Sequence, residues 1–586
     1  MKYLPVFFKL LIGWMPVVLL AAGFLVPVPC HAAGAQSGQP SGPASEQPIG
    51  PAPEQPIGPA SEQPIGPAPS RSSGTPPEQS VHPAPPHTAR IGVSHTLGSP
   101  ETPFWLHANR DGRIPLHSGS NLLLFGEYHQ SFLRGWHLAD LDTGFRIDTR
   151  LSDGGNRLGF SELYAHLNIR GWQLSAGRFY DTMGLAPEYL STGSMLMSRN
   201  ALPPFKLRLS TPDFLPVPFT GGVLSFKARW SEGLLTDDRW VDGARVHQKY
   251  LYLKISPVRN LNLIAGIAHN LMWGGTSPDL GRMHPTFRDW MRDVAGRSDE
   301  SVFVNVTPVG NGLGGYDFGV EYGTGTWSAG LYRLFYIDDA ESLNLSNPWD
   351  GTWSAFVDLH DGERPHRLVS YVLYEHINTK KQDAEWYDAL GRGRYYSHYV
   401  YRDGWVHHGQ VLGTPLILID PDRIGIYDRI LVNSIILAHH VGVSGHLGEQ
   451  LSYQLMATYS RNYGVCHDQN SGRGCNGSVE EPMQERETYV PFRDLRRDRY
   501  SFMMRMTFPV ALVQQALFRT TESAAGGSPQ HEAHGTGRRN NSGRTGAGSD
   551  SGQARGLQMH LSAALDAGAF HDRPLLGIEL GFTLPL

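Results

Sequence analysis

Carboxylates on alternating stretches are the first residues of this chain that could do chemistry. Glu162, Asp317 and Glu321 lie at polar positions of segments that alternate polar and apolar residues. Two such carboxylates facing each other could serve as the acid and the base of a glycoside hydrolysis. Arg and Lys occupy the same polar faces, and we favour structural ion pairing with them. The sequence therefore predicts no catalytic residue.

Two adjacent histidine pairs are the second candidate for chemistry. Neighbouring residues of a strand point to opposite faces, so we expect neither His407-His408 nor His439-His440 to bind one metal ion jointly. The sequence also lacks the Gly-x-Ser-x-Gly, His-Glu-x-x-His and Walker motifs. We therefore predict a protein that is not an enzyme and that has no metal site and no cofactor.

Aromatic residues beside arginines form a third pattern, which suits sugar recognition. Ring faces cover the apolar patches of a sugar, while neighbouring polar groups bind its hydroxyls. Trp and Tyr are also enriched at membrane interfaces, so each ring has a structural alternative. The candidate glycan contacts are Trp273, Trp290, Arg392, Arg394, Tyr396, Tyr399 and Trp405.

Cys466 and Cys475 flank a short polar segment and are the only cysteines beyond Cys30. A metal site would need more ligands than His467 and Asp468 supply. A disulfide that stiffens a loop is the interpretation that we favour for an exported protein.

The elements that must position these residues are β-strands. Side chains alternate between apolar and polar with a period of two, which indicates strands with two different faces. Arg or Lys facing lipid would cost about 2–4 kcal/mol at mid-bilayer, so the polar faces must line a lumen. The clearest examples are residues 163–169, 224–230, 250–255, 316–322, 451–460, 499–508 and 576–586.

The N-terminal region has the features of an export signal followed by a spacer. Lys2 and Lys9 precede an apolar stretch, and Ala33-Gly34-Ala35 offers a cleavage site. The Pro- and Gly-rich repeats that follow cannot build a core. We predict a signal peptide at 1–35, a disordered repeat linker at 36–88 and an outer-membrane β-barrel at 89–586 with a disordered insertion at 521–556.

Bulk properties are consistent with this organisation. The net charge of −5 gives no indication of nucleic-acid binding. Beyond residue 30 no apolar run approaches the ~20 residues of a membrane helix. A soluble β-sandwich would also alternate, but the long strands and the aromatic outward faces favour a barrel. Segments 181–217 and 270–314 are too long for turns, and we expect them to fold over or into the barrel.

Several motifs resemble the Wzi-type capsule-assembly family of outer-membrane proteins, in family order from about residue 100 to the C-terminus. They are 174–179 with Gly184-Leu185, 191–194, 198–203, 212–214, 218–220, 266–275, 401–409 and 412–416. The linker and the insertion lie outside the resemblance. Residues of these motifs that we expect to shape or support a plug are Gly177, Arg178, Arg199, Asn200, Pro203, Gly274, Gly275, His408, Gly413 and Pro415.

The resemblance implies an all-β fold: a transmembrane antiparallel barrel of about 18 strands, plugged by inward-folded loops and short helices. About 24 residues per strand and connection agree with that number. It also implies a non-enzymatic, lectin-like protein that anchors capsular or extracellular polysaccharide at the cell surface. The expected partners are that polysaccharide, outer-membrane lipid or lipopolysaccharide and the barrel-assembly machinery, for a chain acting as a monomer. The alternative is an outer-membrane channel for solutes or polysaccharide.

Overall fold

The computed structural model describes most of the barrel and parts of its connections. The described residues are 87–99, 101–132, 139–283, 290, 310–338, 345, 348–359, 366–380, 395–398, 400–420, 431–464, 497–514 and 556–586. All of them belong to one unit, Pro69–Leu586. The predicted signal peptide, the linker up to residue 86 and residues 521–555 of the predicted insertion lie outside the described residues.

Eighteen antiparallel strands form one closed sheet, which confirms the predicted barrel and rules out a two-sheet sandwich. Strand β25 pairs with β1, with Phe582 opposite Val93, and this pairing closes the barrel. Numbered in chain order among all strands, the barrel strands are β1 (His87–Ser99), β2 (Ser120–Phe132), β3 (Asp140–Ser152), β4 (Arg157–Ile169), β5 (Trp172–Arg178), β6 (Phe205–Ser210), β8 (Leu224–Leu234), β9 (Arg245–Val258), β10 (Leu261–Trp273), β13 (Asn311–Gly323), β14 (Ser328–Ile337), β15 (Gly351–Asp358), β16 (Tyr371–Asn378), β21 (Ile436–Leu447), β22 (Leu451–Asn462), β23 (Arg497–Pro509), β24 (Gln558–Ala567) and β25 (Leu575–Pro585).

Short elements lie in the connections. They are the helix α1 (Phe104–His107) and the strands β7 (Leu215–Pro216), β11 (Thr276–Ser277), β12 (Gly281–Arg282), β17 (Val406–His407), β18 (Gln410–Val411), β19 (Leu418–Ile419) and β20 (Leu431–Asn433). Within the described part of the chain, no helix has the length and apolarity to cross a membrane.

The two faces of the strands follow the alternation in the sequence. On β9, Leu251 and Leu253 are 48% and 45% exposed, whereas Tyr252 between them is 1% exposed and points inward. On β23, Phe502 is exposed and Arg499 is buried inside. The prediction that apolar residues face lipid and cations face the lumen is confirmed for Lys254 on β9 and for Arg499 and Arg505 on β23. Arg245 and Lys249, near the loop end of β9, instead lie on the outward face.

The two ends of the barrel differ in their connections. Strands β1 and β25 place both chain ends of the barrel, His87 and Pro585, at one end, which we call the terminus end. Turns there are as short as 170–171 and 259–260. The opposite end, the loop end, carries long connections such as 179–204 and 379–435. In outer-membrane barrels the short turns are periplasmic and the long loops are extracellular.

One predicted connection contains a barrel strand. Segment 181–217 includes β6, so the prediction of an uninterrupted loop there was wrong. The strand is only six residues long, and its polar positions are Lys206 and Arg208, so it lacks the length of the alternating stretches found elsewhere. Both cations point inward and pair with the Asp181 carboxylate.

Loop-end connections fold into the lumen and form its core. We use the name plug for residues 101–119, 179–204, 235–244, 395–398 and 400–420. Met195, Tyr395 and Trp405 of the plug pack in one cluster with inward wall residues such as Tyr252 and Met272. Helix α1 packs in a second cluster on the inner face of β23 and β24. The plug thus occupies the lumen at the loop end.

Candidate functional site

A wall carboxylate holds the β5–β6 part of the plug. Glu375 on β16 is buried and accepts three hydrogen bonds, each of 2.7 Å. The donors are the Ser191 hydroxyl and both the backbone N–H and the hydroxyl of Thr192. Hydrogen bonds to a charged acceptor are stronger than neutral ones, so this contact fixes the loop firmly to the wall.

A second wall carboxylate holds the same segment. Asp317 on β13 accepts the backbone N–H of Leu185 at 2.7 Å and makes no ion pair with a described residue. The sequence predicts that Asp317 forms an ion pair with a lumen cation. In the structure the Asp317 carboxylate instead accepts a hydrogen bond from the plug backbone. Glu321, four residues further along β13, accepts the Tyr332 hydroxyl at 2.8 Å.

Neutral wall residues complete the attachment. Asn270 on β10 donates its amide to the Leu196 carbonyl at 2.7 Å. A ring nitrogen of His440 on β21 lies 2.6 Å from the Leu190 carbonyl. Helix α1 is held separately, because the Phe104 backbone N–H donates to Asp566 at 2.9 Å. Each contact satisfies a buried polar group that would otherwise be costly.

The plug segments are also joined to each other. Ser198 donates its N–H to the Leu412 carbonyl at 2.8 Å and its hydroxyl to the Gly413 carbonyl at 2.6 Å. Asn200 donates its amide to the Val411 carbonyl at 3.1 Å and accepts the Asn109 N–H at 3.1 Å. Residues from three connections, far apart in sequence, therefore form one interlocked unit.

An ion pair joins the first two connections. Arg199 donates to Asp111 at 2.7 Å, and Arg113 contacts the same carboxylate at 2.7 Å. Burial alone would raise the pKa of Asp111, but the positive charges of Arg199 and Arg113 outweigh burial and hold the pKa below its usual value. Asp111 is therefore a carboxylate at neutral pH, and it ties the loop after β1 to the loop after β5.

Motif glycines occupy positions where an added side chain would clash or where φ is positive. Gly275 has φ of +90°, and an added Cβ would lie 2.8 Å from the Asp242 carbonyl oxygen. An added Cβ on Gly413 would overlap the Tyr396 hydroxyl. Gly177 and Gly274 also have positive φ.

Pro203 and Pro415 are buried in the plug, and the Arg178 guanidinium donates to the Thr236 hydroxyl at 3.1 Å. These contacts are structural.

The first histidine pair departs from the expected geometry. The rings of His407 and His408 lie 4.3 Å apart and both approach Thr236, so the prediction that they point to opposite faces was wrong. His408 has φ of +51° at the turn between β17 and β18, and this conformation removes the strand alternation. On β21 the prediction is confirmed, since His439 is exposed outward and His440 is buried.

Two predicted glycan contacts lie inside the plug. Tyr396 and Trp405 are each 1% exposed. The Tyr396 hydroxyl donates to the Met195 carbonyl, and it accepts the Thr414 N–H at 3.2 Å. Both rings pack in the lumen core, where they stabilise the plug. Contact of either residue with a glycan stays a prediction.

Two other predicted contacts lie on the outer face of the wall. Trp273 is on the same face of β10 as the lipid-facing Ile267, and its indole N–H donates to Glu232 at 3.2 Å. Trp290 packs against it at 6.2 Å between ring centroids, and both rings are buried. The β10–β13 connection therefore covers this wall from outside near the loop end. Glycan contact by these rings also stays a prediction.

Five residues of the predicted sites lie outside the described residues. They are Arg392, Arg394, Tyr399, Cys466 and Cys475. Their roles stay predictions. Among the residues that the structure does describe, no group of three or more His, Cys, Asp or Glu side chains could hold a metal ion.

The residues that attach the plug were not identified from the sequence. Glu375, Asn270 and His440 occupy inward positions of strands, and alternation alone assigns them to the lumen. It does not say which loop they bind, because the partners are 183, 74 and 250 residues away. One sequence signal could have singled out Glu375: a carboxylate at an inward strand position, with no Arg or Lys opposite it on the neighbouring strands.

Comparisons with known proteins give one sequence match and several similar barrels. A comparison with curated protein sequences finds no match. The chain is similar to the solved structure of Escherichia coli Wzi, described as a carbohydrate-binding β-barrel involved in group 1 capsule assembly, with 12% identity over 85% of this chain and 84% of that chain and a TM-score of 0.45. It is also similar to Pseudomonas aeruginosa OccK5, with 9% identity over 85% of this chain and 98% of that chain and a TM-score of 0.39.

The sequence match covers most of the plug. The model of the family described as capsule assembly protein Wzi matches residues 113–423, which is more than half of the chain. The matched region runs from the end of the first plug connection, through Asn200 and Gly413, to the last described residues of the fourth. The chain therefore belongs to the Wzi family of capsule assembly proteins.

Proposed function

We propose that this protein binds capsular or extracellular polysaccharide at the cell surface and anchors it there without cleaving it. Membership of the capsule assembly family is the observation that carries this proposal. The outer membrane is the location that the family implies, and a closed barrel with a lipid-facing apolar band suits that location.

The loop end is the surface that would meet the polysaccharide. It corresponds to the extracellular side and carries the long connections that the family model covers. The plug supports these connections from below through the Glu375 and Asp317 contacts. A support held by charged hydrogen bonds keeps a binding surface in one geometry, which lowers the entropic cost of binding.

We propose Arg392, Arg394 and Tyr399 as the glycan contacts to test first. They belong to the connection between β16 and β21, which contributes Tyr396 and Trp405 to the lumen core. Those two rings anchor the connection next to the three candidates in sequence, since Arg392 and Arg394 precede Tyr396 and Tyr399 lies between Tyr396 and Trp405. Trp273 and Trp290 are secondary candidates, since reaching a glycan would require the β10–β13 connection to move.

The alternative of an open channel receives less support. The plug core brings together rings such as Trp405 and Tyr395 with inward residues of β9 to β14. Filling the lumen with close-packed side chains leaves little room for solute flow. Hydrolysis also receives less support, because Asp317 is engaged by the plug backbone.

Binding of the purified, detergent-solubilised protein to an array of surface polysaccharides tests the proposal. We expect saturable binding to at least one capsule-like polysaccharide whose chain length is unchanged after incubation. Absence of binding to every polysaccharide, including those of the native cell, would contradict the proposal. Shortening of the bound chain would contradict the non-enzymatic part alone.

A further inference from the structure

A cavity of about 110 Å³ lies in the lumen between the plug and the wall. Its plug side is formed by residues of the 182–199 segment, and its wall side by inward residues of strands β13 to β16. Among its lining residues only Glu188 and Arg199 are exposed, so the cavity opens beside these two side chains.

Two polar atoms at this cavity lack a hydrogen-bond partner. The Ser354 hydroxyl on β15 is buried at 1% residue exposure and has no partner among the described residues. The side-chain oxygen of Asn109, which also lines the cavity, is likewise unpartnered. Buried polar groups without partners are costly. A ligand with several hydroxyls would satisfy both.

The charge of the cavity restricts the ligand. Glu188, Asp317 and Glu375 line it, and the single lining cation, Arg199, is already paired with Asp111. Neither Asp317 nor Glu375 makes an ion pair with a described residue. An acidic ligand would bring a further negative charge beside these carboxyls, which is unfavourable. A metal ion is not favoured either, because these carboxyls do not form a metal-binding group.

The apolar part of the lining fits a ring. Tyr332 and Leu334 on β14 face Met183 and Leu185 of the plug across the cavity. An aromatic ring beside hydroxyl-binding groups is the combination that a sugar ring needs, since a sugar has apolar C–H patches and a hydroxyl rim. The small volume admits one ring and excludes an oligosaccharide.

We propose that this cavity binds a single non-acidic hexose ring, neutral or carrying an amine, inside the lumen. The hydroxyls of the ring would donate to the Asp317 and Glu375 carboxyls and would pair with the Ser354 hydroxyl. The site deepens the proposed function by naming a class of sugar, and it rests on that function only for the source of the sugar.

Titration of the purified full-length protein in detergent with glucose, galactose, glucosamine and glucuronic acid tests this inference by calorimetry. We expect saturable binding of at least one neutral or amino sugar and none of glucuronic acid. The Ser354→Ala variant should bind about tenfold more weakly, the effect of one lost hydrogen bond. The matched control is Ser501→Ala, another buried strand serine with an unpartnered hydroxyl, which lies outside the cavity and should bind normally.

A variant that fills the cavity provides a second test of the inference. Ser354→Leu should abolish binding of the monosaccharide while the barrel still shows its folded, heat-modifiable migration on a gel. No binding of any neutral or amino sugar, or equal affinity in all variants, would overturn the inference. If polysaccharide is retained while free sugars do not bind, the inference fails and the proposed function stands. If free sugars bind in the cavity but no polysaccharide is retained, the inference stands and the proposed function fails.

Discussion

Thr192 donates both its backbone N–H and its hydroxyl to the Glu375 carboxylate, each at 2.7 Å. Thr192 belongs to the plug and Glu375 to the wall, so one residue pair joins the two parts of the molecule. Ser191 adds a third hydrogen bond to the same carboxylate. We infer that attachment of the plug depends on this carboxylate more than on any other wall group described here.

Removing the carboxylate should loosen the plug. In Glu375→Ala three buried donors lose their acceptor, and loss of charged hydrogen bonds typically costs about 1.5–3 kcal/mol each before relaxation. We expect faster hydrogen exchange at residues 191–193 and larger current through planar bilayers than for the unmodified protein. Asp142→Asn, on β3 near the terminus end, is the control and should behave normally. Unchanged exchange at 191–193 would show that the contact is not needed.

Acid should weaken the plug through its buried histidines. Burial lowers the pKa of His107 from 6.5 to about 3, and burial also lowers that of His398 to about 4. Between these values and 6.5 the unfolded residue binds a proton and the folded one does not, so stability falls as pH falls from about 6.5 to about 4. Conductance or limited proteolysis across this range measures the effect.

His398→Gln provides the control for that pH dependence. Glutamine keeps a polar side chain near the Val400 and Tyr401 backbone N–H groups that the His398 ring accepts, but it does not titrate, so the variant should lose part of the pH dependence. The unmodified protein should be most resistant to proteolysis above pH 6.5. A plug that becomes more resistant as pH falls toward 4 would contradict the assignment.

Charge on the lipid face should destabilise the barrel. Leu253 on β9 is outward and exposed, so Leu253→Arg should lower the free energy of unfolding in lipid by about 2–4 kcal/mol if it lies near mid-bilayer. Chemical unfolding in lipid vesicles measures this change. Lys227→Leu, at an inward position of β8, is the control for altering a charge in the lumen. A neutral effect of Leu253→Arg would mean that the faces are assigned wrongly.

Variants of the proposed contacts should separate binding from folding. Arg392→Ala, Arg394→Ala and Tyr399→Ala should each weaken polysaccharide binding several-fold without changing stability. Trp405→Ala should instead destabilise the plug, because its ring is buried in the lumen core. Trp327→Ala, at an exposed turn of the terminus end, is the control and should bind normally. If all three contact variants bind as well as the unmodified protein, these residues do not form the glycan site.

Much of the barrel could be predicted from alternation, since inward and outward positions differ in polarity along many of the long strands. Leu251 and Tyr252 follow that rule, and so does Glu579, which is buried inside on β25. The short strand β6 was not identified, because its six alternating residues are too few to stand out within a long connection. The backbone conformation of single residues could not be predicted either, as the positive φ of His408 shows.

Plug contacts could not be predicted for a different reason. The sequence places Glu375 inside the lumen but does not pair it with Thr192, because that pairing depends on how a loop 183 residues away folds back. Motif resemblance singled out Arg199, Asn200 and Gly413 without giving their partners. The location of individual aromatic rings could not be predicted either. Trp273 and Trp405 both occur in motifs beside connections, yet Trp273 lies on the outer face of the wall and Trp405 in the lumen.

Polysaccharide binding by the purified protein tests the central claim most directly. Capsular and extracellular polysaccharides, including those of the native cell, would be immobilised and titrated with detergent-solubilised protein, and chain length would be measured afterwards. The account predicts saturable binding to a surface polysaccharide, weakened by Arg392→Ala and Tyr399→Ala, with chains of unchanged length. Absence of binding to every polysaccharide, together with large and steady currents in planar bilayers, would contradict it and identify a channel instead.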